Sequence, residues 1–459
     1  MPEAEPTLDA FFTPRAIAVV GASRDPRKLG YIILDNLLRA RFEGAVFPVN
    51  PGAESVLGLD AFATVSAVPG PVDLAVIVVP ASHVPALIDD CAAKSVPAVV
   101  VISAGFREAG PEGLALECEV VRRARAGGIR VIGPNSVGII NTFAGLNATF
   151  ADTQPLSYEV ALVSQSGAVA TAILDWARAI GVGFSKFVSL GNMADVTEVE
   201  LFEYLASDPQ TKVIISYLEG FSDARACFEA ARRITRRKPV VVMKVGRSAS
   251  GAKAASSHTG ALASSDAIVD AAFRQAGIIR ADTMDELFDL TLSFAYMPPP
   301  RGPRLAIVTN AGGPGVMATD AAERSGLELA LLTDETQTRL RAALPANASV
   351  GNPVDVLGDA RPDRYRDAVE LVLADPGVDA LVVLLTPQAM TNAKRTAETI
   401  ISLARGQSKP VMAVYMGGDA VAEGRVMLDM AQVPAFHYPE RAVRALGAMW
   451  AYGRYLQDP

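Results

Sequence analysis

One histidine in this chain lies in a setting that is compatible with phosphoryl-transfer chemistry. His258 belongs to a run of small residues at 246–260 (GRSASGAKAASSHTG), which follows the apolar run VVVMKV and holds almost no large apolar side chain to anchor it. A neutral imidazole is a good nucleophile towards an activated phosphoryl group when a carboxylate or a carbonyl binds its other nitrogen. Glu219 ends the neighbouring apolar run VIISYLE and is the candidate for that carboxylate. The same pattern also fits a histidine on a surface loop, and that alternative stays open.

The chain has three histidines, and the other two are interpreted as structural. His83 lies in PASHVPA at the expected start of a helix, and His437 lies in AFHYPE near the expected end of a strand. Both settings favour a capping or packing role over catalysis.

A second part of the same site is expected at the start of a helix. The apolar run EVALVS is followed by small residues and then by an amphipathic stretch, which predicts a strand, a turn and a helix. Backbone N–H groups at a helix start have no partner within the helix, so they can donate to phosphate in the positive field of the helix dipole. The residues predicted to bind phosphate are Ser164, Gln165, Ser166 and Gly167.

A separate ligand site is expected near the beginning of the chain. The turn GASRDPRKLG at 21–30 combines small residues with basic ones such as Arg24 and Lys28, which can bind the phosphates of a nucleotide-like ligand. The turn lacks the GxGxxG pattern of dinucleotide enzymes, and the second strand ends in Asn50-Pro51 rather than in an acidic residue for a ribose. An NAD-dependent oxidoreductase is therefore disfavoured. A solvated loop with scattered basic residues is the alternative.

Short apolar runs alternate with longer amphipathic stretches along the chain. This alternation is typical of parallel β-strands that helices cover on both faces. The runs fall into three groups, and each group opens with a strand, a turn of small residues and a helix: VVGAS at 19–23, VSQSGA at 163–168 and VTNAGGPG at 308–315. We therefore predict an α/β protein with three doubly wound parallel sheets.

The predicted strands and domains follow from these groups. The strands of the first sheet are 16–21, 45–50, 74–80, 98–103 and 130–135; those of the second are 159–164, 186–190, 213–219 and 240–245; those of the third are 304–310, 327–332, 380–385 and 410–416. The stretch MPPPRGPR cannot continue a helix, because proline lacks the amide donor and restrains the residue before it. We predict domains at 1–142, 143–296 and 304–459, with a proline-rich linker at 297–303.

Composition excludes several classes of protein. Hydrophobic residues make up 50% of the 459 residues, so extensive disorder is not expected. The formal net charge of -8 argues against a surface that binds nucleic acid. The three cysteines form no CxxC pair, so neither a disulfide framework nor a metal site is expected. The sequence shows no signal peptide and no membrane-spanning run, and we expect a cytoplasmic protein.

Five segments of the chain resemble the family of nucleoside-diphosphate-forming acyl-CoA synthetases. They are VGASRDPRKLGY at 20–31, GPNSVG at 133–138, VSQSGAVA at 163–170, SLGNMADV at 189–196 and SSHTGALA at 256–263. The resemblance covers essentially the whole chain and points to the alpha subunits of ADP-forming acetyl-CoA synthetases. TNAGGPGV and Asn352-Pro-Val-Asp355 in the third domain separate the chain from the related succinyl-CoA synthetase alpha subunit, which stops after two domains.

The resemblance implies a fold, a reaction and catalytic residues. In that family a Rossmann-like CoA-binding domain precedes two flavodoxin-like ligase domains. A small carboxylate, CoA and ATP are interconverted with acyl-CoA, ADP and phosphate through acyl-phosphate and phosphohistidine intermediates, and acetate is the default acid. His258 matches the histidine that becomes phosphorylated, Glu219 matches the glutamate that orients it, and Ser164 to Gly167 match the helix start that binds phosphate.

The resemblance also implies a set of contacts to CoA. These contacts lie on the loops that follow the strands of the first sheet: Gly21, Ala22, Ser23, Arg24, Lys28, Leu29, Asn50, Val79, Pro80, Ser103, Ala104, Gly105 and Asn135. Two departures from the family affect this set. Gly52 stands where relatives often have a lysine, and Ser136 replaces a cysteine that is common in relatives.

A partner chain is implied as well. The chain contains no GxxxxGK[ST] phosphate loop and nothing that resembles the ATP-grasp domains of the family. The resemblance therefore implies an ATP-grasp beta subunit that binds ATP or ADP with Mg²⁺, in a hetero-oligomer with two or more alpha chains. The small residues around His258 fit a loop that moves phosphate between the two chains.

Two other functions compete with this one. A non-catalytic acyl-CoA-binding regulator would resemble the synthetase-like part of certain protein lysine acetyltransferases, which tend to lack the histidine and carry an additional acetyltransferase domain. This chain keeps His258, and we expect no such domain after the third sheet. A dinucleotide oxidoreductase is the weakest alternative, because the acidic residue at the end of the second strand is absent.

Overall fold

The computed structural model describes residues 8–251, 253 and 265–458. His258 and the loop around it therefore lie outside the described residues. The chain divides into two compact units, Met1–Arg280 and Ala281–Pro459, and each is described by itself. Within the described residues, no helix is both long enough and apolar enough to cross a bilayer.

The first sheet contains five parallel strands. Along the chain they are β1 (Ala16–Val20) and β2 (Ala45–Val49), then a small separate hairpin of β3 (Ser55–Val56) and β4 (Leu59–Asp60), then β5 (Leu74–Ile77), β6 (Ala98–Val101) and β7 (Arg130–Ile132). The helices of this part are α1 (Asp9–Phe12), α2 (Leu29–Arg39), α3 (Val84–Ala93) and α4 (Pro111–Ala126). Every residue of β1, β5 and β6 is buried, which explains why these strands read as unbroken apolar runs.

The second sheet contains seven strands. They are β8 (Gly138–Asn141), β9 (Leu146–Thr149), β10 (Ser157–Ser164), β11 (Phe184–Ser189), β12 (Val213–Leu218), β13 (Val240–Lys244) and β14 (Ile279–Arg280). The helices are α5 (Gly167–Ala179), α6 (Glu198–Ser207), α7 (Ala224–Ile234) and α8 (Asp266–Ala276). β8 and β9 pair antiparallel at one edge, and the remaining strands are parallel.

The antiparallel edge was not predicted from the sequence. Its strands carry buried polar side chains, so they do not form the apolar runs from which the other strands were predicted. Asn141 donates from Nδ2 to the Phe12 carbonyl at 2.8 Å, and Asn36 on α2 donates to the Thr149 carbonyl at 2.9 Å. The predicted domain boundary between 142 and 143 falls inside this hairpin, so the hairpin ties the first sheet to the second.

The third sheet belongs to the second unit. Its strands are β15 (Arg304–Thr309), β16 (Glu328–Leu329), β17 (Val354–Asp355), β18 (Ala380–Leu385), β19 (Val411–Tyr415) and β20 (Ala435–Phe436). The helices are α9 (Met284–Tyr296), α10 (Gly312–Arg324), α11 (Asp334–Ala343), α12 (Pro362–Ala374), α13 (Ala393–Ala404), α14 (Asp419–Met430) and α15 (Pro439–Gln457). Arg441 on α15 pairs with Asp289 on α9 at 2.7 Å. Helix α9, which the sequence assigned to the second domain, therefore packs in the unit of the third sheet.

The three sheets share one strand order. From edge to edge the parallel strands run β2-β1-β5-β6-β7, β11-β10-β12-β13-β14 and β16-β15-β18-β19-β20. Each is the doubly wound order 2-1-3-4-5, whose ligands bind at the carboxyl ends of the strands where the order reverses, between the first and the third strand. The predicted fold class is confirmed, and the order places the candidate site at the ends of β1 and β5 and of β10 and β12.

Candidate functional site

The β10–α5 junction has the geometry of an anion-binding helix start. The Ser164 hydroxyl donates to the Ser166 carbonyl at 2.8 Å and accepts from the Ser166 N–H at 3.2 Å. Ser166 is the N-cap of α5, and its hydroxyl accepts from the Val169 N–H at 3.4 Å. The first N–H groups of α5, on Gly167 and Ala168, have no acceptor within the helix. The two serine side chains thus hold the turn, and these two N–H groups are the donors that the turn presents.

Gln165 connects this junction to the end of β12. Its side-chain oxygen accepts from the N–H groups of Glu219 at 2.6 Å and Gly220 at 3.0 Å, and its side-chain nitrogen donates to the Gly220 carbonyl at 2.8 Å. Its own N–H donates to the Tyr217 carbonyl at 3.1 Å. Phosphate binding by Gln165 stays a prediction. In the structure the side-chain amide of Gln165 holds the main chain at Glu219 and Gly220. Ala168, which was not among the predicted residues, supplies the N–H group next to that of Gly167.

Glu219 lies at the end of β12 and is 9% exposed. On one side of the residue its N–H is bound by Gln165, and on the other its carbonyl accepts from the Lys244 ammonium group at 2.9 Å. Lys244 ends β13 and is in register with Leu218. The strand that leads towards His258 therefore ends beside Glu219.

The predicted pairing of Glu219 with His258 stays a prediction, because His258 lies outside the described residues. The described residues on either side of that segment do come together. Arg247 and Asp266 form an ion pair at 3.3 Å, and Asp266 also pairs with Arg280 on β14. These two arginines help to hold the pKa of the Asp266 carboxyl below its usual value. Both ends of the segment are thus held at the edge of the second sheet.

The third sheet repeats the junction of the second. The Thr309 hydroxyl donates to the Ala311 carbonyl at 2.8 Å and accepts from its N–H at 3.0 Å, as Ser164 does with Ser166. Asn310 binds both the N–H and the carbonyl of Thr386 at 2.9 Å, as Gln165 does across the second sheet. The repeated strand, turn and helix that the sequence predicted is confirmed at the level of individual hydrogen bonds.

The turn after β1 depends on close packing between two glycines. Gly21 has φ of +93°, and a Cβ placed on it would lie 2.6 Å from the Val78 carbonyl oxygen. A Cβ placed on Gly30, in the first turn of α2, would lie 2.1 Å from the carbonyl oxygen of Gly21. Only glycine fits at either position. The packing brings the start of α2 against the turn that is predicted to bind CoA.

The loops of the first sheet are joined to one another at its carboxyl edge. Asn50 donates from Nδ2 to the Ala22 carbonyl at 2.7 Å and accepts from the Gly52 N–H at 2.8 Å. Ser103 donates to the Val79 carbonyl at 2.5 Å. The structure therefore brings the predicted CoA residues to one edge. The members of that set with exposed side chains are Arg24, Lys28, Leu29, Pro80, Ala104 and Asn135, whereas Ala22 is buried.

Basic side chains of the first turn differ in their pairing. Arg27 forms an ion pair with Asp25 at 3.0 Å, and this guanidinium lowers the pKa of the Asp25 carboxyl. Arg24 extends towards the Gly52 carbonyl at 3.5 Å. Arg27 is thus engaged within the turn, which leaves Arg24 and Lys28 as the better candidates for phosphate contacts.

The loops that follow strands of the first sheet contact a loop that follows β11 in the second sheet, within the first unit. Asn192, from the loop SLGNMADV, donates to Glu108 at 2.6 Å and to Glu117 at 2.8 Å, and it accepts from Asn135 at 3.3 Å. Ser136 is 3% exposed, and its hydroxyl donates to the Ser189 carbonyl at 2.5 Å. The departure from the family at Ser136 is therefore accommodated in a buried contact between the loop after β7 and the end of β11.

Known proteins match this chain over nearly its whole length. Three family models match consecutive parts of the chain: a CoA binding domain at residues 15–142, a succinyl-CoA ligase like flavodoxin domain at residues 158–294 and a ligase-CoA domain at residues 305–457. The chain is 44% identical to the alpha subunit of acetate–CoA ligase (ADP-forming) II of Pyrococcus furiosus, with 96% of this chain and 97% of that subunit covered.

Two further relatives extend the comparison. The chain is 44% identical to acetate–CoA ligase (ADP-forming) I of Archaeoglobus fulgidus over 97% of its own length, and it spans 64% of that longer relative. The dinucleotide forming acetyl-coenzyme A synthetase 1 of Ca. Korarchaeum cryptofilum, solved in complex with phosphate and ADP, matches with a TM-score of 0.95 and 42% identity. That match covers 99% of this chain and 98% of the other.

Proposed function

We propose the function of this chain from one premise: the chain belongs to the family of ADP-forming acetate–CoA ligases, whose alpha subunits it matches over nearly its whole length. It is an alpha-type chain that interconverts acyl-CoA and phosphate with a small carboxylate and CoA, and it carries the phosphoryl group on His258. Acetate is the default acid. One observation carries the proposal: across the β10 and β12 ends, Gln165 ties the anion-binding helix start to Glu219.

Acyl phosphate forms first in the direction of ATP synthesis. CoA occupies the carboxyl edge of the first sheet, where the loops are open and basic, and phosphate accepts hydrogen bonds from Gly167 and Ala168. A phosphate oxygen attacks the thioester carbonyl, the C–S bond breaks, and CoA leaves as its thiol. The helix start stabilises the phosphate charge through its N–H groups and dipole.

The phosphoryl group then moves to the protein. A ring nitrogen of His258 attacks the phosphorus of the acyl phosphate, the P–O bond to the acyl group breaks, and the carboxylate leaves. Glu219 accepts a hydrogen bond from the other ring nitrogen, which fixes the tautomer and stabilises the positive charge that the ring acquires. The phosphohistidine finally transfers its phosphoryl group to ADP.

Nucleotide chemistry is assigned to a partner chain. Relatives are named as alpha subunits, and the Archaeoglobus fulgidus relative is longer than this chain. We infer that an ATP-grasp beta subunit binds ADP or ATP with Mg²⁺, in a hetero-oligomer with two or more alpha chains. The segment around His258 would carry phosphate between the two sites.

Phosphate incorporation by the chain tests the proposal. Incubation with acetyl-CoA and ³²P-labelled phosphate should yield label that is stable in base and lost in acid, on the peptide that contains His258. Mass spectrometry at neutral or basic pH locates the phosphate. If no label forms under conditions where calorimetry shows CoA binding, the acyl-CoA-binding regulator becomes the better assignment.

Dependence on the partner gives a second expected result. With acetyl-CoA, phosphate, ADP and Mg²⁺, the isolated chain should release CoA but form no ATP above background, because ADP has no site on it. Addition of the ATP-grasp chain should start ATP formation, which a luciferase assay follows. Rapid ATP formation by the isolated chain would contradict the assignment of nucleotide binding to the partner chain.

A further inference from the structure

We propose that Lys244 is a positioning residue for Glu219: its buried ammonium group holds the main chain at the end of β12 and thereby sets where the Glu219 carboxylate stands during phosphoryl transfer. This inference rests on the proposed function, since it concerns the residue assigned to orient His258. Lys244 itself is not assigned a contact with substrate.

The contacts of Lys244 converge on the Glu219 turn. Its ammonium group donates to the Glu219 carbonyl at 2.9 Å and to the Val245 carbonyl at 2.6 Å. It also lies 5.9 Å from the centre of the Phe221 ring, a cation–π distance. The side chain is 8% exposed. A single buried cation thus joins the end of β13 to the residue that follows β12.

Burial of a charged lysine at this position lowers the stability of the fold unless hydrogen bonds compensate for the lost hydration. The first three residues of the strand, Val240, Val241 and Val242, are buried and apolar, and the half-buried Met243 follows them. Burial disfavours the charged ammonium form and lowers the pKa of Lys244, while the nearby carboxylates of Asp266 and Glu219 oppose that shift. Such a charge requires hydrogen-bond partners. Lys244 has two, the carbonyl of Val245 beside it in the chain and the carbonyl of Glu219 on the neighbouring turn.

Two other buried side chains hold the same turn. Gln165 binds the N–H groups of Glu219 and Gly220. Glu198, at the start of α6, accepts from the N–H of Ser222 at 2.8 Å and from its hydroxyl at 2.9 Å. The turn from Glu219 to Ser222 is therefore fixed by side chains from the ends of β10 and β13 and from the start of α6. Misplacement of a reacting group by about 1 Å can cost about a hundredfold in rate.

The strand offers a matched control. Lys238 lies just before the opposite end of β13, and its ammonium group also donates to two main-chain carbonyls, those of Leu205 and Asp208. Burial lowers the pKa of Lys238 too. Lys238→Met therefore removes a lysine that makes similar hydrogen bonds beside the same strand, without touching the Glu219 turn.

The experiment measures transfer from acetyl phosphate to His258 in a single turnover, because this donor bypasses the thioester step. We expect Lys244→Met to slow labelling by about ten- to a hundredfold, and Lys238→Met to stay within about twofold of wild type. The dissociation constant for CoA should be unchanged in both. In a Glu219→Gln background, Lys244→Met should cause little further loss, because Lys244 acts through Glu219.

Other outcomes overturn the inference in distinguishable ways. Wild-type rates in Lys244→Met, equal losses in the two lysine variants, or full additivity with Glu219→Gln would each remove the positioning role. If Lys244→Met does not fold, Lys244→Arg decides, since its longer guanidinium should displace the turn and slow transfer, whereas a wild-type rate would reject the role. A wild-type chain that takes no phosphate at His258 would instead overturn the proposed function and this inference with it.

Discussion

Replacement of His258 by alanine is expected to abolish phosphate incorporation and every step that follows it. The variant has no imidazole nitrogen to accept the phosphoryl group, and loss of a covalent nucleophile costs at least about a thousandfold in rate. Acid-labile ³²P from acetyl-CoA and phosphate, and ATP formation in the presence of the partner chain, should both fall to background. Acetyl phosphate formed before that step should still be detectable, because His258 is not needed to make it.

Two controls make this result specific. The His83→Ala variant should incorporate phosphate like wild type, since His83 lies in the short helical turn before α3 in the first domain. CoA should bind His258→Ala with unchanged affinity, because the predicted CoA contacts lie on the first sheet. Label that persists in His258→Ala, or moves to another peptide, would contradict the assignment of the nucleophile.

Much of the fold could be predicted because the central strands are buried on both faces. β1, β5, β6 and β18 are buried at every residue, so their sequences are continuous apolar runs that stand out between amphipathic helices. Every strand that the sequence predicted is present in the structure. The strand order also follows the doubly wound rule, so the topology alone predicts which edge of each sheet binds a ligand.

The strands that were missed have two different physical reasons. β14, β17 and β20 have two residues each and pair through few hydrogen bonds, so they leave no periodic signal in the sequence. β8 and β9 bury Asn141, Asn147 and Thr149, and polar residues of this kind are normally taken as signs of a loop. These buried side chains are hydrogen-bonded: Asn141 binds the distant Phe12 carbonyl, whereas Asn147 and Thr149 bind groups within residues 147–154.

The candidate site was predicted in part. Ser164, Ser166 and Glu219 could be proposed because each stands at or just after the end of an apolar run, and parallel strands end at one edge. Lys244 also ends an apolar run, but its place in the sequence does not reveal its contact with Glu219, and Glu198 does not end an apolar run. Their importance follows from register and from the packing of α6, which bring them to a turn that lies 25 residues before Lys244. Sequence spacing carries no trace of such contacts.

The Gly30→Ala variant should bind CoA at least about tenfold more weakly, while the rest of the chain stays folded. The new methyl group would overlap the Gly21 carbonyl, which a Cβ would approach to 2.1 Å, and this oxygen is backbone that cannot rotate away. Overpacking of this kind costs about 1–3 kcal/mol, so the free energy of unfolding should fall measurably. Calorimetric titration with CoA and thermal unfolding measure the two effects.

A second glycine at the same edge of the sheet serves as a control, because it separates the effect of steric overlap from the effect of replacing a glycine. A Cβ on Gly52 would lie 3.4 Å from the Asn50 side-chain oxygen, an ordinary contact, and Gly52→Ala should leave CoA affinity within about twofold. Phosphoryl transfer from acetyl phosphate should survive in Gly30→Ala, because that step uses the second sheet. Wild-type CoA affinity in Gly30→Ala would show that the β1–α2 turn does not bind the ligand, and the CoA site would then have to be sought on the other loops of that edge.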